Sequence, residues 1–132
     1  MDFNLRVGMS QKVEIKVELK DTAVSFGSGG VKVLATPMMI TLMENAALKA
    51  VDTNLPEGYG TVGTHLDVKH LAATPIGMKA YAEAELVKIE GKKLLFNVTA
   101  YDEQEKIGEG THTRYIIPVD AFIQRTNEKL NG

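Results

Sequence analysis

The sequence predicts an α+β fold in which an antiparallel sheet wraps around one long, mostly buried helix. Three observations carry this. A single stretch, Thr36 to about Asp52, combines helical length with helix start signals. Five other stretches have the length and apolar patterning of strands, and four of them follow the helix. Short polar turns separate several of those strands, and short connections imply antiparallel neighbours.

The first strand is expected over Gln11–Asp21. Val13, Ile15, Val17 and Leu19 alternate there with Lys12, Glu14, Lys16, Glu18 and Lys20, so one face is wet. A loop with Gly27-Ser28-Gly29-Gly30 follows. It lacks the Gly-Lys-Ser/Thr ending of a phosphate-binding P-loop and reads as a flexible connector. Thr36 stands where an N-cap belongs, and Pro37 at the first helical position loses nothing by lacking an N–H. The helix body is apolar around most of its circumference, so it is expected to be buried. Further strands are expected at Thr61–Ala73, Met78–Ile89, Lys93–Tyr101 and Lys106–Ile117. Pro118 breaks the last one, and Asp120 caps a short terminal helix to Leu130. A sheet around one central helix is the hot-dog arrangement, in which dimerisation buries the remaining surface.

Composition narrows the function. The chain has 132 residues, the size of one domain, and residues 1–132 are read as a single unit. Hydrophobic residues make up 44%, enough for a core without metal or disulfide staples. Fifteen Lys and Arg against 17 Asp and Glu give a net charge of -2, which argues against nucleic acid as the main partner. The absence of cysteine excludes thiol catalysis and Cys-ligated metal, and fits a reducing cytoplasm. No apolar run is long enough for a membrane span, and charges near the N-terminus do not suit a signal peptide. With three histidines and no His-x-x-x-His pair, no metal site is expected. No Gly-x-Ser-x-Gly elbow points to a serine hydrolase.

Residues that break the pattern are the candidate site. Thr41, Asn45, Lys49 and Asp52 fall in one helical stripe about 80° wide, and Glu44 lies about 60° outside it. Its neighbours Ile40, Leu48, Ala47 and Val51 are apolar. A carboxylate there must be paired, hydrogen-bonded or protonated, and both a structural and a functional role are open. Strand parity places His70 with Val62, Thr64, Leu66 and Val68, and places His65 with Gly63, Asp67, Lys69 and Leu71. His70 is then a satisfied core residue or a general base paired with Glu44; His65 is a solvated surface residue. The Thr36 hydroxyl can cap the helix, stand beside its free N–H groups at an anion site, or do both. His112 and Arg114 share a strand face, either as a surface ladder or with the arginine reaching a nucleotide phosphate.

These residues resemble the fluoroacetyl-CoA thioesterase-like family of hot-dog proteins. The matching stretches are Val33-Leu34-Ala35-Thr36-Pro37-Met38-Met39-Ile40, Leu42-Met43-Glu44-Asn45-Ala46-Ala47, Thr61-Val62-Gly63-Thr64, Val68-Lys69-His70-Leu71-Ala72-Ala73-Thr74-Pro75 and Ile107-Gly108-Glu109-Gly110-Thr111-His112-Thr113-Arg114. The resemblance implies hydrolysis of a short acyl-CoA thioester by a homodimer without cofactor. It implies Thr36, Glu44 and His70 as catalytic residues, and Gly63 and Arg114 as substrate-binding ones. The family's phenylalanine-bearing lid is replaced by Ser25-Phe26-Gly27-Ser28-Gly29-Gly30-Val31, shorter and glycine-rich, which leaves the acyl group open. More distant hot-dog thioesterases carry an Asp before the helix; Val33-Leu34-Ala35 has none, which leaves Glu44 as the acid. His70 could deprotonate water directly, or Glu44 could attack first and form an anhydride. Two other readings compete. A hot-dog hydratase or dehydratase resembling the fatty-acid enzymes places its His before the helix, whereas His70 follows it. A non-catalytic acyl-thioester binding module would tolerate loss of Glu44 or His70, and the chain retains both.

Overall fold

The computed structural model describes residues 3–132, so Met1 and Asp2 of the expected domain lie outside the described residues. The strands are β1 (Ser10–Lys16), β2 (Tyr59–His70), β3 (Lys79–Glu90), β4 (Lys93–Asp102) and β5 (Lys106–Pro118). The α-helices are α1 (Ala23–Phe26), α2 (Thr36–Val51) and α3 (Val119–Asn127). The strands form one sheet in the order β1-β3-β4-β5-β2, and every neighbouring pair is antiparallel.

This is the expected α+β hot-dog arrangement, and α2 is its centre. Met39, Leu42, Met43, Ala46, Ala47, Ala50 and Val51 of the helix are buried. They pack against Ala80, Ala82, Ala84 and Leu86 of β3 and Leu94, Phe96, Val98 and Ala100 of β4. The alanines on β3 let the helix sit low on the sheet. On β5, a Cβ at Gly108 would stand 2.5 Å from the Met39 sulfur, so a side chain there would have to displace the Met39 thioether.

Four local expectations change. β1 ends at Lys16, and Leu19–Asp21 turns into one 3₁₀ turn, which leaves Leu19 exposed. The connector before α2 begins with a single helical turn, α1, started by Thr22 and stopped by Gly27 in the left-handed conformation (φ 71). Asp120 lies in the first turn of α3 without capping it. β2 and β3 follow each other in sequence yet lie far apart in the sheet: β3 joins β1, while among the described residues β2 pairs only with β5 and forms an edge. The residues between them carry the chain across the sheet instead of closing a hairpin. Among the described residues no helix is long and apolar enough to cross a membrane.

Candidate active site

Thr36 is presented by the entry to α2. The N-cap is Ala35, which makes no side-chain cap bond, so Thr36 is the first helical residue and Pro37 the second. The capping role expected of Thr36 is therefore absent. Backbone bonds fix its position: Ala35 donates to the Asp21 carbonyl (2.9 Å) and Leu34 to the Thr74 carbonyl (2.9 Å). The second of these ties the segment before the helix to the loop that leaves β2. The Thr36 hydroxyl consequently meets the last residue of β2, with 2.6 Å between Oγ1 and Nδ1 of His70.

His70 is half-buried, and its Nε2 is buried with no hydrogen-bond partner. Burial lowers its pKa below the usual imidazole value, partly opposed by the backbone of Ala72. It is thus held neutral, with one nitrogen fixed by Thr36. A cavity of about 400 Å³ opens at the pair, lined by Ala23, Leu34, Leu71 and Ala73 among others.

Glu44 does not pair with His70. Eight residues separate it from Thr36 along α2, a rise of about 12 Å. Its carboxylate is half-buried and faces polar groups, which corrects the expected apolar surround. A Cβ placed on Gly63 would lie 3.1 Å from Glu44 Oε2, 3.0 Å from His112 Cε1 and 3.4 Å from Arg114 Nη1. Gly63 is therefore the gap around which Glu44, His112 and Arg114 gather, and a glycine keeps that gap open.

Strand parity had set Gly63 on the face opposite His70. A bulge reverses this. The pairing of β2 with β5 slips between Gly63 and His65, so Gly63 pairs with Arg114 and Leu66 with His112. Arg114 and His112 share one face of β5. Gly63 and Leu66 therefore also share a face, although three residues apart, because the bulge absorbs one residue. Thr61, Gly63, Val68 and His70 all look toward the helix side. His65 is exposed, as expected.

His112 and Arg114 form no surface ladder. His112 has no exposed surface and Arg114 is 6% exposed. Arg114 donates through Nε to Thr61 Oγ1 (2.8 Å) and through Nη2 to the Thr61 carbonyl (3.0 Å). Thr61 in turn donates its hydroxyl to Asp52 Oδ1 (2.7 Å) and its N–H to Oδ2 (3.2 Å). Nη1 of Arg114 lies 3.1 Å from Nε2 of His112, and Nδ1 of His112 lies 2.9 Å from the His65 carbonyl. Burial pushes the pKa of Arg114 down, opposed by the nearby Asp52 and Glu44 carboxylates. Burial also lowers that of His112, helped by Arg114 and opposed by the His65 carbonyl and Glu44. Sequence reasoning missed Asp52, Thr61 and the buried His112. The parity of β5 carried the signal for the last: His112 and Arg114 alternate with Glu109, Thr111, Thr113 and Tyr115 and keep step with the apolar Ile116. Among the described residues no group of three or more His, Cys, Asp or Glu could hold a metal ion.

Residues 17–120 match the model of the fluoroacetyl-CoA-specific thioesterase family. The chain is 40% identical over 98 residues to the fluoroacetyl-CoA thioesterase of Streptantibioticus cattleyicolor, covering 74% of this chain and 70% of that one. A solved structure of the fluoroacetyl-CoA thioesterase FlK superposes with a TM-score of 0.88 at 34% identity, over 95% of this chain and 97% of that one. A hot-dog-like protein from Thermanaerovibrio acidaminovorans superposes with a TM-score of 0.90 at 27% identity, over 100% and 99% of the two chains.

Proposed function

Because the chain belongs to the fluoroacetyl-CoA-specific thioesterase family, we propose that it hydrolyses a short-chain acyl-CoA thioester to the free acid and CoA, with Thr36, Glu44 and His70 as catalytic residues. The observation that carries this is the Thr36–His70 contact of 2.6 Å beside an open cavity. Nδ1–H of His70 donates to the Thr36 hydroxyl, which leaves Nε2 with its lone pair toward the reaction. His70 takes a proton from water as the water oxygen bonds to the thioester carbonyl carbon. The tetrahedral intermediate then collapses, the C–S bond breaks, and the proton on His70 passes to the departing CoA sulfur. The Glu44 carboxylate orients the water, and Gly63 leaves room for the thioester. Arg114 acts at this acyl end of the substrate, beside Glu44; its burial argues against a contact with nucleotide phosphates.

The active form we propose is a homodimer whose sites are shared. Within one chain Thr36 and His70 stand apart from the Glu44–Gly63–Arg114 group. β2 is a twelve-residue edge strand with no partner on its outer side among the described residues. Leu66 near its middle is 37% exposed on the helix side. A two-fold axis near Leu66 pairs β2 with its copy and sets the His70 end of one strand against the Thr61–Gly63 stretch of the other. Thr36 and His70 of one protomer then meet Glu44, Gly63 and Arg114 of the second copy. We also place the protein in the cytoplasm, in keeping with a cysteine-free chain and a CoA substrate.

The test follows thiol release from acetyl-, propionyl- and butyryl-CoA with a thiol-trapping dye. Release from at least one of them is expected. No release from any, with the folded protein in hand, overturns the assignment. A hydratase would change the acyl chain and leave the thioester intact, and a binding module would leave both unchanged.

A further inference from the structure

The ring of His112 bridges two groups of fixed character. A guanidinium N–H can only donate, so Nε2 of His112 must accept from Arg114 Nη1 (3.1 Å). A carbonyl oxygen can only accept, so Nδ1 must carry the proton that faces His65 O (2.9 Å). Both constraints are met by one species alone, the neutral imidazole protonated on Nδ1. The His65 carbonyl belongs to the bulge that brings Gly63 onto the site face. His112 thus ties that bulge to Arg114 from one side, while Asp52 and Thr61 hold the same guanidinium from the other.

We propose that His112 is a positioning residue: in its Nδ1-protonated neutral form it latches the Arg114 guanidinium to the β2 bulge, and so sets Arg114 and Gly63 against Glu44. This rests on the thioesterase reading above. Protonation of His112 removes the acceptor and sets two cations together, which releases the latch. The ring is faced by Glu44 from α2, by Arg114 on its own strand, by the backbone of His65 on β2, and by Phe96 on β4, whose ring centroid is 6.3 Å away. The His65 carbonyl and Glu44 favour the charged ring, and Arg114 and the His65 side chain oppose it; burial, the largest influence, keeps it neutral.

Two substitutions separate the two ring nitrogens. His112→Asn keeps a donor near the position of Nδ1 and has nothing at Nε2. His112→Gln can place an amide oxygen near Nε2. Expected is a loss in kcat of about 10²-fold for His112→Asn, the order reached when a site shifts by an ångström, with a much smaller change in KM. His112→Gln, which restores the acceptor for Arg114 but not the donor to the His65 carbonyl, recovers part of that loss. The acid limb of its kcat/KM profile also falls from steeper than one proton in the unsubstituted enzyme to a single proton, that of His70. Long-range ¹H–¹⁵N spectra of the unsubstituted protein at neutral pH show His112 protonated on Nδ1 alone. A ring protonated on Nε2, a charged ring, a His112→Asn variant with full turnover, or a His112→Gln variant no better than Asn would each overturn the proposal. If His112→Asn fails to fold, the spectra and the Gln variant still decide. An unsubstituted protein that releases no thiol refutes the thioesterase reading, and the spectra then judge the latch by themselves.

Discussion

Nδ1 of His70 and the hydroxyl of Thr36 lie 2.6 Å apart although 34 residues separate them in the chain. The contact exists because the backbone of residues 34 and 35 is stitched to Thr74 and Asp21, leaving the capping position to Ala35. Thr36 is thereby free to serve an imidazole.

Since Thr36 caps nothing, its removal should spare stability. Thr36→Val is expected to change unfolding free energy by less than about 1 kcal/mol, well below the cost of a lost cap at its upper range. Its kcat should fall sharply, and Thr36→Ser should recover much of it. A large fall in Tm with turnover retained would make Thr36 structural. Thermal melts and thiol-release kinetics on both variants check this.

His70→Ala should lose about 10² to 10⁴-fold in turnover, the range of general acid–base catalysis, and the exposed His65→Ala should lose little. Because burial lowers the His70 pKa, its neutral, proton-accepting form persists below the ordinary imidazole range near 6.5. Activity is therefore full above that range and falls as pH drops through the lowered value. The kcat/KM profile should lose the His70 limb only in the His70 variant. An equal loss at His65 would overturn the register of β2.

Glu44→Gln, nearly isosteric, should cost about 10²-fold or more in kcat with the fold intact. A single turnover in ¹⁸O water distinguishes direct attack from an anhydride that water opens at the Glu44 carboxyl carbon. Direct attack by water puts the label in the released acid at once. Opening the anhydride at Glu44 gives the acid an unlabelled carboxylate oxygen and leaves the label on Glu44, where mass spectrometry of the protein reads it.

Mixing inactive subunits tests the shared site. If His70 of one chain works with Glu44 of the other, dimers formed from His70→Ala and Glu44→Gln subunits carry one intact site. Random mixing then restores about a quarter of full activity, since half the dimers are mixed and each has one of two sites. Sites built within single chains would restore nothing. Leu66→Lys, at the expected axis, should give a monomer with little activity, read by light scattering alongside thiol release.

Stability should also fall toward acid. His70 and His112 both have lowered pKa values in the folded chain, so folding favours their neutral forms. That stabilisation is complete above the unfolded value near 6.5 and is lost as pH falls through the folded values. Denaturant midpoints measured down to mildly acidic pH should decline more steeply in the unsubstituted protein than in His112→Gln.

Much of the fold was legible in local pattern. A run of apolar residues with Pro37 near its start reports a buried helix, and alternation such as Lys12–Lys16 reports strands, because helix and strand periods are properties of neighbouring residues. The exposure of His65 and the half-burial of His70 followed from the same period. The sequence alone therefore determined the long helix and the five strands, the central place of α2 and the identity of the residues that break its pattern, but not the short turns of helix before α2. Tertiary structure alone decided which strands are neighbours, since pairing β2 with β5 rather than β3 depends on distant contacts. It placed the bulge between Gly63 and His65, which turns Gly63 toward Glu44 against simple parity. It also buried Arg114, which bonds Thr61 53 residues away in the chain, and His112, which bonds the His65 carbonyl 47 residues away. Period reports only which way a residue points from its own strand. What it meets there is set by chain segments far away in sequence, and those meet only when the sheet closes around the helix.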